Sequence, residues 1–438
     1  MNNNTSRIKN ASDCVKCGKC LSVCPVYSEF KREQYSPRGK LAILEALFEK
    51  SLQIDRELED IIFFCLLCGA CSEVCPNHVK GDDIFLEARK LVEDKLGISF
   101  LKKKVPSILT NRSLIPISIK GYNLVHKILF KDIPDESGLH LRFPLRKKIN
   151  FYVPPFAGKF FLDTGEESVK ASSSESRVAF FSGCVINYIK PQIGKAILNT
   201  LIKSKFDVII PKDQVCCGLM SLAWGDEEGA RNLALKNIEL FTDHEIDAII
   251  VGCSSCGYHL KHNYTKLFAG ANQKIKEKVN VFSEKIREID DFLLDTEEDN
   301  VIFQDNHFEY EKKKKLRVGY SMSCHLQRKM GTGHTPVELL QKHPLIEFIE
   351  TENYMECCGG GGTFSLSHIK LSNKILEKKI KGLIEKEVKI VGTECMGCLL
   401  QLERGMYLAK ENIKVMHPLE IIDLGYKKEN DYNLNSEK

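Results

Sequence analysis

Residues 14–25 read CVKCGKCLSVCP, and residues 65–76 read CLLCGACSEVCP. The strings set Cys14, Cys17, Cys20 and Cys24 before Pro25, and Cys65, Cys68, Cys71 and Cys75 before Pro76, at one constant offset. The chain has 438 residues and 18 cysteines, so ten thiols lie beyond these strings. They form a second repeat. Cys184 is followed by the adjacent pair Cys216 and Cys217, then by Cys253 and Cys256. Cys324 is followed by the pair Cys357 and Cys358, then by Cys395 and Cys398. The two sets keep step to within two residues over about 140 positions, and no cysteine is left over.

Three thiols at CxxCxxC spacing, with a fourth before proline, are the pattern that holds [4Fe-4S] cubes in two-cluster ferredoxins, where the fourth cysteine reaches across to the other cube. Cys14, Cys17, Cys20 and Cys75 are therefore expected to hold one cube, and Cys65, Cys68, Cys71 and Cys24 the other. Structural zinc is the alternative, but its sites are built from two CxxC-like halves across a longer loop, and the doubled run has little reason to exist for zinc. With 43% hydrophobic and 28% charged residues the chain reads as globular, with several domains. Its N-terminus, MNNNTSRIKNASDC, has no charged region leading into an apolar one, and no apolar run is long enough to cross a bilayer. A cytoplasmic location follows, at most peripheral on the cytoplasmic face of the inner membrane. In that compartment thiols stay reduced, which argues against disulfides.

The longer repeat implies two copies of one domain. RVAFFSGC and LRVGYSMSC read as strands ending at Cys184 and Cys324. Ile193, Ile197 and Leu201 then recur at helical spacing, and DVIIP is again a strand. A helix with Ala230, Ala234, Ile238 and Phe241 on one face leads to the strand DAIIVGC, and the second copy repeats this order through Leu376, Ile380 and Leu383 to VKIVGTEC. Strands alternating with helices predict small parallel sheets, with functional loops at the carboxyl ends of the strands. All five cysteines of a set can then converge on one edge. A regular cube takes four cysteines, so an adjacent pair suggests ligands to an opened-up cluster, with Gly218 and Gly359 turning the backbone away from it. Structural cysteines beside zinc or an ordinary cube are the alternative.

The fold expected is α/β multidomain. A mostly helical two-[4Fe-4S] ferredoxin-type domain occupies 1–97, a basic connecting segment and linker 98–176, a first cysteine-rich CCG domain 177–295, a linker 296–315, a second CCG domain 316–428 and a tail 429–438. On these motifs the chain resembles the iron–sulfur subunits that fuse a two-cluster ferredoxin domain to two CCG domains. They include the C subunit of anaerobic glycerol-3-phosphate dehydrogenase, the glycolate oxidase iron–sulfur subunit and the D subunit of the membrane-associated heterodisulfide reductase. VAFFSGCVINYIKPQIGKAI, CHLQRKMG, CCGGGGTFSL and HPLEII are similar to the first, and YSPRGKLAIL to the second. Glycolate oxidase subunits tend to lack one thiol of the closing CxxC, whereas Cys253 with Cys256 and Cys395 with Cys398 are intact here. The likeness to heterodisulfide reductases implies one or two further, noncubane [4Fe-4S] clusters on these five-cysteine sets.

No flavin or nicotinamide fingerprint is visible; GTGHTP at 331–336 lacks the third glycine and the acidic partner. Electrons must then come from elsewhere. The leading expectation is an electron-transfer subunit of an oxidoreductase complex, fed by a flavoprotein dehydrogenase of glycerol-3-phosphate, glycolate or lactate type and discharging to a quinone or other acceptor. The alternative is a heterodisulfide or thiol-disulfide reductase, with His325, next to Cys324, as a candidate proton donor. From 101 to 160 twelve Lys or Arg face three acids, while the chain as a whole carries +4. Basic and apolar residues mixed in this way suit peripheral contact with an anionic membrane surface, and equally a solvated linker. No module for reading nucleic acid accompanies the charge.

Overall fold

The computed structural model describes residues 8–99, 156–171, 174, 176–242, 244–296, 315–351 and 354–424, together with the short strands Phe130–Lys131 and His140–Leu141. Most of the basic stretch 101–160 lies outside the described residues, as do most of the linker 296–315 and the tail. Among the described residues no helix is long and apolar enough to cross a membrane.

The N-terminal unit is helical. Helix α1 (Pro37–Phe48) starts with proline at its first position, and the Ser36 hydroxyl accepts the Gly39 N–H at 2.9 Å. Helix α2 (Gly81–Leu96) has Asp82 and Asp83 in its first turn and Lys95 in its last, each suited to the helix dipole. It buries Ile84, Phe85, Ala88 and Val92 against Leu41 and Leu44 of α1 and against Leu58 and Ile62.

Two sheets follow. The first contains β1 (Ser168–Val169), β2 (Ser176–Phe181), β3 (Phe206–Ile209), β4 (Ala248–Val251) and β5 (Ile286–Glu288), in the order β1-β3-β2-β4-β5. All its pairings are parallel except β1 with β3. Part of the stretch read as a linker is thus built into the sheet as an antiparallel edge. Helices α3 (Pro191–Lys203) and α4 (Glu227–Thr242) connect its strands. The second sheet is wholly parallel, with β6 (Leu316–Tyr320), β7 (Ile346–Ile349), β8 (Ile390–Gly392) and β9 (Lys414–Met416) in the order β9-β8-β6-β7. Its helices are α5 (Thr335–Lys342), α6 (Ile369–Glu385) and α7 (Met396–Ala409). Leaving β1 aside, the two strand orders are the same, so the sequence repeat is a structural repeat.

The buried strands read as continuous apolar runs, AIIV in β4 for example, as parallel strands covered on both faces should. The core of the first sheet continues into the second domain through Leu339, Leu399, Leu419 and Ile422. The first domain's apolar interior therefore reaches into the second, whose own sheet is packed in two further clusters, around Val318 and Ile390 and around Leu376 and Val391.

Candidate metal centres

The thiols lie where the strands and helix starts put them. Cys14, Cys17, Cys20 and Cys75 line a small cavity beside Pro37 and Arg38, with Cys71 also on its wall. Cys24, Cys65, Cys68 and Cys71 line a second cavity with Pro37 and Lys40. Cys17 is exposed, whereas the second group is half-buried. In the CCG domains each cysteine lies beyond the carboxyl end of a strand: Cys184 after β2, Cys216 and Cys217 after β3, and Cys253 and Cys256 after β4. Cys324 follows β6, Cys357 and Cys358 follow β7, and Cys395 and Cys398 follow β8.

All ten of these thiols line a single cavity of about 340 Å3 between the two domains. Convergence within each set was the expectation; the joining of both sets in one chamber is new. Met396 N–H points at Cys253 Sγ across the domain boundary (3.4 Å), and Ser255 Oγ lies 3.0 Å from Cys395 Sγ. Ser254 and Ser323 hydroxyls meet at 2.7 Å beside them.

The donor set suits iron–sulfur chemistry. Sulfur atoms approach closely, as Cys358 does Cys398 at 3.3 Å. Backbone N–H groups point at the Sγ atoms of Cys24, Cys65, Cys75 and Cys357, each at 3.4 Å. Burial pushes the Cys24 thiol up and that of Cys68 to about 11. Hydrogen bonds from Cys216, Cys357 and Cys253 hold Cys217, Cys358 and Cys395 below the ordinary thiol value. Crowded buried thiolates need positive charge nearby, and bound iron would supply it. Close backbone approach adds to the fit: a Cβ on Gly183 would sit 3.3 Å from Cys256 Sγ, and one on Gly360 3.4 Å from Cys358 Sγ.

Gly218 and Gly359 are left-handed, with φ of 94° and 77°, but for a different reason from the one expected. A Cβ there would meet the next helix, at Ala230 O (3.3 Å) and Ser372 O (2.8 Å), rather than a thiol. His325 lines the shared cavity; its Nδ1 lies 2.8 Å from Ser255 Oγ, its ring stacks on Tyr258 at 5.1 Å, and burial lowers its pKa.

Sequence reasoning missed the buried cations. Lys40, Arg89 and Lys379 are each 2% exposed or less. Arg89 donates to the carbonyls of Cys65, Phe63 and Ala223. Lys379 Nζ donates to Tyr354 O and Glu356 O, next to Cys357. For Lys379 a signal was present, because it sits on the apolar face of α6 between Ile375 and Leu383.

The fold and these sites define an iron–sulfur protein. The chain belongs to the proteins that join a 4Fe-4S dicluster domain, matched at residues 10–79, to two cysteine-rich (CCG) domains, matched at 178–261 and 318–403. It carries several [4Fe-4S] clusters and is an iron–sulfur subunit of the oxidoreductase type. It is similar to the probable glycolate oxidase iron-sulfur subunit of Bacillus subtilis (strain 168), at 29% identity over 90% of this chain and 88% of that protein. The B subunit of the fumarate reductase (CoM/CoB) of Methanothermobacter marburgensis is 27% identical over 95% of this chain and 73% of its own length. Lactate utilization protein A 2 of Bacillus cereus (strain Q1) is 26% identical, with 58% of this chain and all of that protein covered.

Proposed function

We propose that this chain passes electrons from a flavoprotein dehydrogenase of glycerol-3-phosphate, glycolate or lactate type to a quinone or other acceptor. Cys14, Cys17, Cys20 and Cys75 would hold one [4Fe-4S] cluster, and Cys65, Cys68, Cys71 and Cys24 a second. Cys184, Cys216, Cys217, Cys253 and Cys256 would hold a third, and Cys324, Cys357, Cys358, Cys395 and Cys398 a fourth. When bound, such clusters take up and release single electrons. One observation carries the reading: the thiol sets form an unbroken series from surface to interior. Cys17 is exposed, the first two cavities share Cys71, and Cys24 and Cys68 pack with Cys357 of the ten-thiol chamber in one apolar cluster.

The protein residues do the holding. Backbone N–H groups fix the sulfur lone pairs, while Leu66, Phe364, Leu371 and Ile375 keep water from the join between the dicluster unit and the second CCG domain. The test is anaerobic co-purification followed by reduction with the recovered flavoprotein. Reduction by a co-purifying flavoprotein is expected; recovery of none, with no reduction by dehydrogenases of the three named types, would reject the reading. Iron and sulfide content checks the ligand sets separately: about 16 iron per chain is expected, and about 8 would leave only the dicluster pair.

A second reading is favoured by the chamber itself, which ten thiols line together with His325. It is a disulfide or thiol reductase, in which the S–S bond of the substrate breaks as two electrons and two protons are added. His325, held by Ser255, would then pass on a proton. Turnover of a disulfide panel with reduced viologen as donor supports this reading, and no turnover leaves the relay.

A further inference from the structure

The stretch YSPRGK, residues 35–40, has no part in the ligand sets, yet it stands between two of them. Ser36 caps α1, and Gly39 lies so close to the preceding turn that a Cβ would fall 1.9 Å from Glu33 O. This fixes the first turn of the helix as a wedge. Pro37 borders both dicluster cavities, Arg38 lines the cavity of Cys14, Cys17, Cys20 and Cys75, and Lys40 lines that of Cys24, Cys65, Cys68 and Cys71.

The two cations are differently screened. Arg38 has a side chain one-third exposed (32%) and is held by both carboxylate oxygens of Glu33, at 2.7 and 3.2 Å, so its charge is largely cancelled toward the first set. Lys40 is 2% exposed, and its Nζ donates to Tyr35 O at 2.7 Å. Its principal charged neighbours are the thiols of Cys65, Cys24 and Cys71 and the Arg89 guanidinium, with no carboxylate among them. A charge in that setting acts at low effective dielectric on whatever the thiols hold. A reduced [4Fe-4S] group is one charge more negative than the oxidised one, so burial alone disfavours reduction and a buried cation favours it.

We propose that Lys40 is a potential-setting residue: its buried charge raises the reduction potential of the group held by Cys24, Cys65, Cys68 and Cys71 relative to the group held by Cys14, Cys17, Cys20 and Cys75. The PRGK turn then biases reducing equivalents toward the interior side of the dicluster unit. This rests on the ligand sets proposed above, and iron and sulfide content of the unaltered chain tests those sets by themselves.

The experiment is an EPR-monitored redox titration of the anaerobically purified full chain beside Lys40→Met, Lys40→Gln and Lys40→Arg. In the two neutral variants one dicluster signal is expected to fall about tenfold in its reduced-to-oxidised ratio at fixed poise, which is 59 mV for a one-electron couple. The other signal stays in place, and Lys40→Arg keeps most of the original value. Unmoved potentials in fully loaded neutral variants overturn the proposal, as does an equal shift of both signals. Loss of the cluster from both neutral variants also overturns it, since Lys40 would then be holding the fold rather than setting a potential.

Discussion

The two CCG domains share strand order and cysteine placement, yet they meet the dicluster unit in different ways. The second domain brings thiols to the contact: Cys357 packs against the same apolar cluster as Cys24 and Cys68, and Gly361 comes so near that a Cβ would lie 2.6 Å from Leu66. Around this join Lys329 pairs with Asp82, and Arg328 with Glu73 at 2.8 Å. The first domain touches α2 through the carbonyl of Ala223, which accepts from Arg89, and through the pairs Lys266–Asp83 and Lys90–Glu227. These residues bear no thiols. A duplicated domain has thus been used twice, once with its cysteine loops facing the dicluster unit and once as a brace against the helix behind it.

Removing the brace should have the largest effect. Arg89→Met leaves one buried and two half-buried carbonyls short of a donor and should cost about 3 to 5 kcal/mol of stability in anaerobic denaturant unfolding. A loss under about 1 kcal/mol would mean the first domain needs no such anchor. On the other side, Asp82→Asn removes the negative charge that partners Lys329 and leaves one side-chain oxygen where two serve Lys329 and the Ser72 hydroxyl. About 3 kcal/mol is expected there, because an ammonium is left buried without its counter-charge.

Titration separates the domains next. After edge strand β5 the first domain buries Asp290, pushed up to about 7 by burial, whereas after β9 the second buries His417, pushed down to about 3 by burial. The signs oppose. A raised carboxyl stabilises fully below its unfolded pKa of about 4, and that contribution is lost as pH climbs to about 7. A depressed imidazole stabilises above about 6.5, and its contribution is lost as pH falls toward about 3. Asp290→Asn should therefore leave a chain that weakens more steeply toward acid, and His417→Gln one that weakens more steeply toward alkali. Each change amounts to a few kcal/mol across the window. Denaturant midpoints at pH 5.5 and 7.5 decide it, and parallel profiles for all three proteins would refute both assignments.

What the sequence revealed and what it hid have separate physical causes. Strands such as AIIV in β4, and the apolar spacing of Leu376, Ile380 and Leu383 in α6, are local patterns, so the alternation and the cysteines at strand ends were legible. The single chamber was not. It depends on how one sheet faces another, and Leu339, Leu419 and Ile422, which pack into the interior of the first domain, look in sequence like apolar residues of their own. Lys40 was hidden too, since a lysine one turn into a helix ordinarily faces water; only the cavity beside it shows that it does not.

The smallest effect belongs to the neighbour of Asp82. Adjacent acids at the start of α2 diverge, Asp82 to Lys329 of the second domain and Asp83 to Lys266 of the first. The Asp83 pair is at 2.9 Å, with side chains 20% and 31% exposed, where water competes for both charges. Asp83→Asn should cost less than about 1 kcal/mol and lose most of that difference in high salt. Equal costs for Asp82→Asn and Asp83→Asn would show that the two domains are held alike, and the contrast between thiol-bearing contact and brace would have to rest on the thiols alone.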